Sequence, residues 1–340
     1  MMSRRHSELP VIARDRSRRG FLRAAMLGMV AASWPQARAA SQVDFTGVTL
    51  RIAEFKGGDY ALLKAAGLDN TPYKLDVRDF SSGNVIAEAI NAEALDAGSM
   101  SEIPPVFAAA SGASIKIVAT SKDDVNWQVV LVPKDSPINS IADLKGKRVG
   151  YVRATTAHYY LAKMLAAVGL SFNDIVAVAL SPVEGQSAFN RGSLDAWAIY
   201  GYNVPFSLKD GARVLKTAQG YLSGNYVYTA SPAALQDEKR SAALADLLLR
   251  MRQAYVWREA NLGKWADTLS ATISVPRDIV YEVMMKASRR RDLFPIVDAD
   301  IASAQNVADT FRELGVLAKP VDVAPLYDRR FSEVLARPLS

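Results

Sequence analysis

The stretch KRVGYVRATTAHYYLAKMLAAVGL, residues 147–170, decides the fold. Lys147–Val152 reads as a strand, a short turn with two threonines follows, and an apolar helix starts at about Thr156. IVAVAL, residues 175–180, then supplies a second strand. Strand, turn, helix and strand make a βαβ step, which places its two strands side by side and parallel.

The same alternation runs outward in both directions. Towards the N-terminus, VTLRIAEF (48–55) reads as a strand, Tyr60–Ala66 as a helix ended by Gly67, and YKLDVRDF (73–80) as a strand. A helix over Asn84–Ala92 follows, then short strands near Leu95–Ser99 and Ile115–Thr120 around a helix opened by Pro104-Pro105. WQVVLVP (127–133) is an apolar run ending in the polar turn Lys134–Pro137. Past the opening stretch come a helix near Glu184–Asn190 and the strands AWAIY (196–200) and RVLKTA (213–218). After Ser231 the pattern is nearly all helical. Asp237–Asn261 carries Leu244, Leu247, Leu248, Met251 and Tyr255 on one face, and helices follow at Pro276–Ser288 and Asp298–Leu314. The fold class is α/β with mainly parallel strands.

An internal echo points to a duplicated architecture. AINAEALDA (89–97) aligns without a gap on AFNRGSLDA (188–196), matching at the Ala, Asn, Leu, Asp and Ala positions. In each copy a helix ends and a strand begins. Some 300 residues exceed what one hydrophobic core usually holds, so two lobes are expected. The chain should cross between them near Val132–Ser136 and again near Val227–Ser231. Residues 44–133 and 232–340 would then form lobe 1, and residues 134–231 lobe 2.

The first residues read as an address and not as part of the fold. Ser17-Arg18-Arg19-Gly20-Phe21-Leu22-Arg23 leads into the apolar segment Ala24–Trp34 and the small-x-small site Ala37-Arg38-Ala39. The arginine pair fits a twin-arginine export signal over residues 1–39, cleaved near Ala39–Ala40 and read by the twin-arginine machinery. That leader holds eight of the 41 basic and two of the 35 acidic residues, so 33 of each remain beyond it. The basic character therefore belongs to the leader, and a global field for nucleic acid is excluded. The chain has no cysteine. This removes disulfides, thiol nucleophiles, thiolate metal sites and a lipidated cysteine anchor. His158 is the one histidine outside the leader, which excludes a histidine-rich metal site. An untethered exported protein without cofactor or metal suits a periplasm.

Candidate binding residues cluster at strand-to-helix turns. The first amides of a helix lack partners and sit at the positive end of its dipole, so the helix beginning at Thr155-Thr156 can seat an anion beside Arg153. His158 lies in its first turn. The local sequence names no nucleophile for it to activate, which leaves a structural or ligand-contacting role. Glu54–Gly58 with Lys56, Ser81–Asn84 with Ser82, Gly83 and Asn84, and Ser99–Glu102 with Ser101 and Glu102 are the matching turns of the first half. Trp127, Trp197, Tyr200 and Tyr202 are placed to wall the organic part of a ligand. The run Ser288–Asp292, with three arginines, reads as a solvated helix terminus or a docking surface.

Several segments resemble the periplasmic solute-binding proteins for aliphatic sulfonates, taurine and nitrate. They are Asp135–Ile138 with Ile141–Val149, Leu95–Ser99 with Ile103–Pro105, Thr156–Tyr159, and Gly192–Trp197, all in the family's order. The resemblance implies a two-lobed Venus-flytrap fold of type II with two crossovers. It also implies ligand binding between the lobes and delivery to an inner-membrane ABC permease and ATPase, the binding protein acting as a monomer. Carried over by position, it marks Ser81–Asn84, Ser99–Glu102 and Thr155–His158 as sulfonate turns, with Trp197 and Tyr200 lining the cleft. Ala154 and Ser101 stand where the family often has glycine, which bears on ligand identity. The leading expectation is a non-catalytic binder of a small organic anion. A neutral or heteroaromatic ligand, pyrimidine-like, is the alternative, and a desulfinase-like enzyme lacks its cysteine here.

Overall fold

The computed structural model describes residues 43–287 and 289–339; the expected leader, with the twin arginines and cleavage site read into it, lies outside the described residues. The chain first builds β1 (Thr49–Phe55), α1 (Asp59–Ala65), β2 (Lys74–Phe80), α2 (Gly83–Asn91), β3 (Ala97–Ser101), α3 (Ile103–Ala110) and β4 (Lys116–Lys122). It then forms β5 (Gln128–Val132), β6 (Arg148–Tyr151), α4 (Thr156–Ala166), β7 (Val176–Ala179), α5 (Pro182–Asn190), β8 (Ala196–Tyr200), α6 (Asn203–Lys209) and β9 (Arg213–Thr217). It returns through β10 (Asn225–Ala230), α7 (Pro232–Gln236), α8 (Glu238–Ala260), α9 (Leu262–Ile273), α10 (Arg277–Met285), β11 (Leu293–Phe294), α11 (Asp298–Glu313) and α12 (Ser332–Ala336).

Two sheets result, in the orders β11-β4-β10-β3-β1-β2 and β7-β6-β8-β5-β9. Within them β1 pairs parallel with β2 and β3, and β6 pairs parallel with β7 and β8. The two-lobed α/β fold of the sequence reading is therefore present. Its crossings are not where the sequence put them. β5 pairs antiparallel with β8 and β9 in the second sheet, and β10 pairs antiparallel with β3 and β4 in the first. The chain thus changes lobes over residues 123–127 and 218–224, so Gln128–Val132 belongs to lobe 2 and Asn225–Ser231 to lobe 1. An apolar run buried on both faces looks the same in either sheet, and only its hydrogen-bonding neighbours decide.

The internal echo is a real structural repeat. In lobe 1 the Arg51 backbone N–H and Nε donate to Asp96 Oδ2 at 2.8 and 3.1 Å, and Nη2 donates to Oδ1 at 2.7 Å. In lobe 2 the Arg148 backbone N–H and Nε donate to Asp195 Oδ2 at 2.7 and 3.1 Å, and Nη2 donates to Oδ1 at 2.8 Å. Each aspartate N–H returns a bond to the carbonyl of its arginine, at 2.7 and 2.8 Å. Each clasp fastens the start of one parallel strand to the start of its neighbour and so fixes their register. The lobes differ in depth. Asp96 is buried and takes a second guanidinium, Arg240 of α8, at 3.2 Å, whereas the Asp195 side chain is about one-third exposed.

Trp197 lies in the core of lobe 2, fully buried between β6 and α5. A Cβ at Gly185 would stand 2.6 Å from its indole nitrogen, and one at Gly150 would meet Leu194 at 2.5 Å. Glycine at these positions lets the indole fill the lobe.

Breaking the buried clasp with Asp96→Asn should cost about 2–4 kcal/mol in urea unfolding, because two half-buried arginines lose their counter-charge. Asp195→Asn should cost under about 1 kcal/mol. Equal losses would show that depth does not separate the two clasps.

Candidate functional site

The lobes meet at two places. At one, α4 of lobe 2 presses His158 and Tyr159 into α3 and α11 of lobe 1. His158 lies 5.7 Å from Phe107 and 5.1 Å from Phe311 across the junction, and 5.0 and 5.1 Å from Tyr151 and Phe172 on its own side. Its Nδ1 accepts from the Ala154 N–H at 3.3 Å, and Ala154 holds a left-handed φ of 56°. Burial, with Arg153 nearby, pushes the imidazole down to about 4, so it is neutral at ordinary pH. His158 is a packed part of the interlobe pivot, and the rings around it close it off.

Beside this pivot the N-termini of α3 and α4 converge on a void of about 10 Å³, lined by Glu102, Thr156, Gln128 and Tyr226 among others. That is room for one water molecule at most and not for a sulfonate. Pro104 and Pro105 open α3 and carry no N–H, which weakens it as an anion seat. Glu102 already occupies the spot with a carboxylate, which accepts from Ser223 at 2.5 Å, Asn225 at 3.0 Å and Ser303 at 3.2 Å. Burial raises this carboxyl above its ordinary range, against those three bonds.

The other meeting place is a cavity of about 520 Å³, which shares Gln128 and Tyr226 with the void. Its lining comes from the turn Phe55–Asp59, the ends of α8 and α10, one face of α9, the first crossing, and Tyr200–Tyr202 of lobe 2. Residues Arg289–Arg291 also line it. The basic run expected to be a solvated terminus thus enters the cleft.

Three buried polar atoms on this lining have no hydrogen-bond partner: Trp127 Nε1, Gln128 Oε1 and Arg291 Nε. Each such orphan costs on the order of 1–3 kcal/mol. The Arg291 guanidinium lies between the rings of Tyr226 and Tyr255, 5.4 and 5.6 Å from their centres. Its ion pairs are long, 3.8 Å to Asp59 and 3.6 Å to Asp123. Asp59 takes its short bonds elsewhere, from Tyr255 at 2.7 Å and Ser99 at 2.8 Å. A guanidinium held flat by two rings and poorly engaged by carboxylates is ready for a planar or tripodal oxyanion.

Of the residues named from sequence, Lys56, Trp127 and Tyr200 line the cavity, and Glu102 and Thr156 line the small void. Ser82, Gly83, Asn84, Ser101, Thr155, His158 and Trp197 line neither. Ser82 donates to Asn84 within its own turn at 2.5 Å, and Thr155 donates back to the Val152 carbonyl at 2.7 Å. At the turn near Lys56 the Glu54 carboxylate takes the Ala61 N–H at 2.8 Å, filling the α1 terminus from inside. Arg291 and Gln128 were missed. The one trace of Gln128 in the sequence is a carboxamide inside an apolar run, and nothing local says that Arg291 turns inward.

A two-lobed α/β molecule whose orphaned donors face a cavity between the lobes is a solute-binding protein in architecture. The chain belongs to the NMT1/THI5-like family, whose model matches residues 65–239. It is 30% identical over 312 residues to an Escherichia coli K12 protein that carries the name aliphatic sulfonates-binding protein, covering 90% of this chain and 95% of that one. The alkanesulfonate-binding protein SsuA of Xanthomonas axonopodis pv. citri bound to MOPS superposes with a TM-score of 0.77 at 28% identity, over 83% of this chain and 98% of that one. The periplasmic aliphatic sulphonate binding protein SsuA of Escherichia coli gives 0.71 at 28% identity, over 82% and 91%. The desulfurization enzyme DSZB shares the fold at 16% identity, with a TM-score of 0.61 over 84% of this chain and 97% of that one.

Neutral His158 makes the protein acid-sensitive. Unfolded chains take a proton near pH 6.5, while the folded one resists until about pH 4, so stability falls as pH drops through that window, by up to about 3 kcal/mol. In His158→Phe this loss should disappear from a series of melts between pH 7 and 4.5. A variant that still loses as much as the parent would place the acid sensitivity elsewhere.

Proposed function

We propose that this protein captures a small organic anion of the sulfonate class in the 520 Å³ cavity and hands it to an ABC permease and its ATPase. The observation that carries the reading is Arg291, a half-buried guanidinium whose buried Nε has no hydrogen-bond partner, on the same cavity lining as the unpartnered Trp127 indole N–H. Two donors of one sign in an interlobe cavity suit an acceptor-rich guest, and the names of the relatives point the same way. The anion then sits on the arginine loop, and the N-termini of α3 and α4 act as the pivot beside it. The protein works as a monomer in the periplasm, reached through cleavage of residues 1–39 after twin-arginine export, without cofactor or lipid anchor.

Binding without turnover follows from the side chains at hand. The chain has no cysteine, and His158 is neutral and sealed among aromatic rings. Closure around the ligand would turn on residues 123–127 and 218–224, which are linked by a bond from the Asp123 N–H to the Gly224 carbonyl at 2.8 Å.

A saturating ligand adds about 2.7 kcal/mol at one hundred times its Kd, seen as a rise of several degrees in Tm. The expected result is such a rise with one or more of a panel of alkanesulfonates, arylsulfonates, taurine and nitrate. Arg291→Met should abolish it and Arg291→Lys should weaken it, since an ammonium lacks the two-pronged geometry. A flat panel with the parent protein, or an undiminished rise in Arg291→Met, would overturn the assignment.

A further inference from the structure

The aromatic residues of this protein fall into two groups. Those at the pivot, Phe107, Tyr151, Phe172 and Phe311, use up one another's faces around His158. Of those lining the cavity, Tyr226 and Tyr255 carry the Arg291 guanidinium. Phe55, Trp127, Tyr200, Tyr202 and Trp265 contribute rings to one wall system, and among the described residues none of the five is stacked on another ring or carries a cation. They come from four segments: the end of β1, the first crossing, the end of β8 with the turn after it, and α9. These rings, on the same cavity lining as two orphaned donors, offer aromatic walls to a flat guest.

Resting on the anion reading above, we propose that the ligand is an aromatic sulfonate, its charged group on Arg291 and Trp127 Nε1 and its ring held edge or face against these five rings. Aromatic pairs gain beyond the area they bury, whereas an alkyl chain gains only by area. The unpartnered carbonyl of Gln128 adds a seat for a hydroxyl or amine on the ring. Nitrate and taurine leave most of the 520 Å³ unfilled.

Titration calorimetry on the purified protein with four probes separates ring from charge: benzenesulfonate, hexanesulfonate, benzenesulfonamide and hexanesulfonamide. The two sulfonates have the same carbon count, and each sulfonamide is the neutral partner of its sulfonate. The expected order puts benzenesulfonate first, about tenfold tighter than hexanesulfonate, as one or two aromatic pairs supply. Tyr202→Leu should bring the two sulfonates together, and Tyr202→Phe should restore the gap. Equal binding of the two sulfonates, or preference for the alkyl one, overturns the aromatic assignment and leaves the anion reading standing. Benzenesulfonamide binding tighter than benzenesulfonate, with both aryl probes ahead of both alkyl ones, supports the slot and overturns the anion. No binding by any of the four overturns both.

Discussion

The same small clasp joins parallel strands in both lobes, its aspartate buried in one and about one-third exposed in the other. In each lobe an arginine on the central parallel strand grips an aspartate at the start of the next strand, while the aspartate N–H bonds back to the arginine carbonyl. That closed loop sets strand order and register at the point where each helix hands the chain back to its sheet. Without fixed registers the cavity between the lobes would have no defined wall. The buried Asp96 clasp also reaches α8 through Arg240, tying the helical return of the chain to the first sheet.

The cleft divides its work between rings and charges. His158 and Tyr159 fill a pivot whose aromatic side chains satisfy one another, so the lobes have a fixed axis of contact. A few residues away the cavity lining carries two donors and a carboxamide oxygen that lack partners. The proposed binding site rests on these unpartnered groups. Of the four unpartnered buried side-chain atoms among the described residues, three line this cavity and the fourth, Trp197 Nε1, lies in the core of lobe 2. Small residues at helix starts, the sequence-level sign of an anion seat, meet proline and a carboxylate at α3.

Much of the fold was legible because periodicity and the repeated Leu-Asp-Ala motif report directly on local structure. The α/β alternation, the helical tail and the duplication follow from residues near one another in sequence. The crossings were not legible. Val129–Val132 is apolar throughout, and its sheet is chosen by β8 and β9, which lie far along the chain. Trp127 and Tyr200 were found as aromatic neighbours of the interlobe region. Trp197 was not separable from them, since its burial depends on glycines at 150 and 185 that make room for it in three dimensions. Arg291 escaped for the opposite reason: a basic run after a helix looks solvated until the returning chain folds it over the cleft.

The exchange of strands between lobes also dictates an order of assembly. All the strands of the second sheet lie between residues 128 and 217, so that lobe can close as soon as this stretch leaves the ribosome. The first sheet cannot. Its β10 slots between β3 and β4 from residues 225–230, after the whole of the other lobe has been made. The earlier-synthesised half therefore waits with a gap in its middle, and the later-synthesised half is the first to be native.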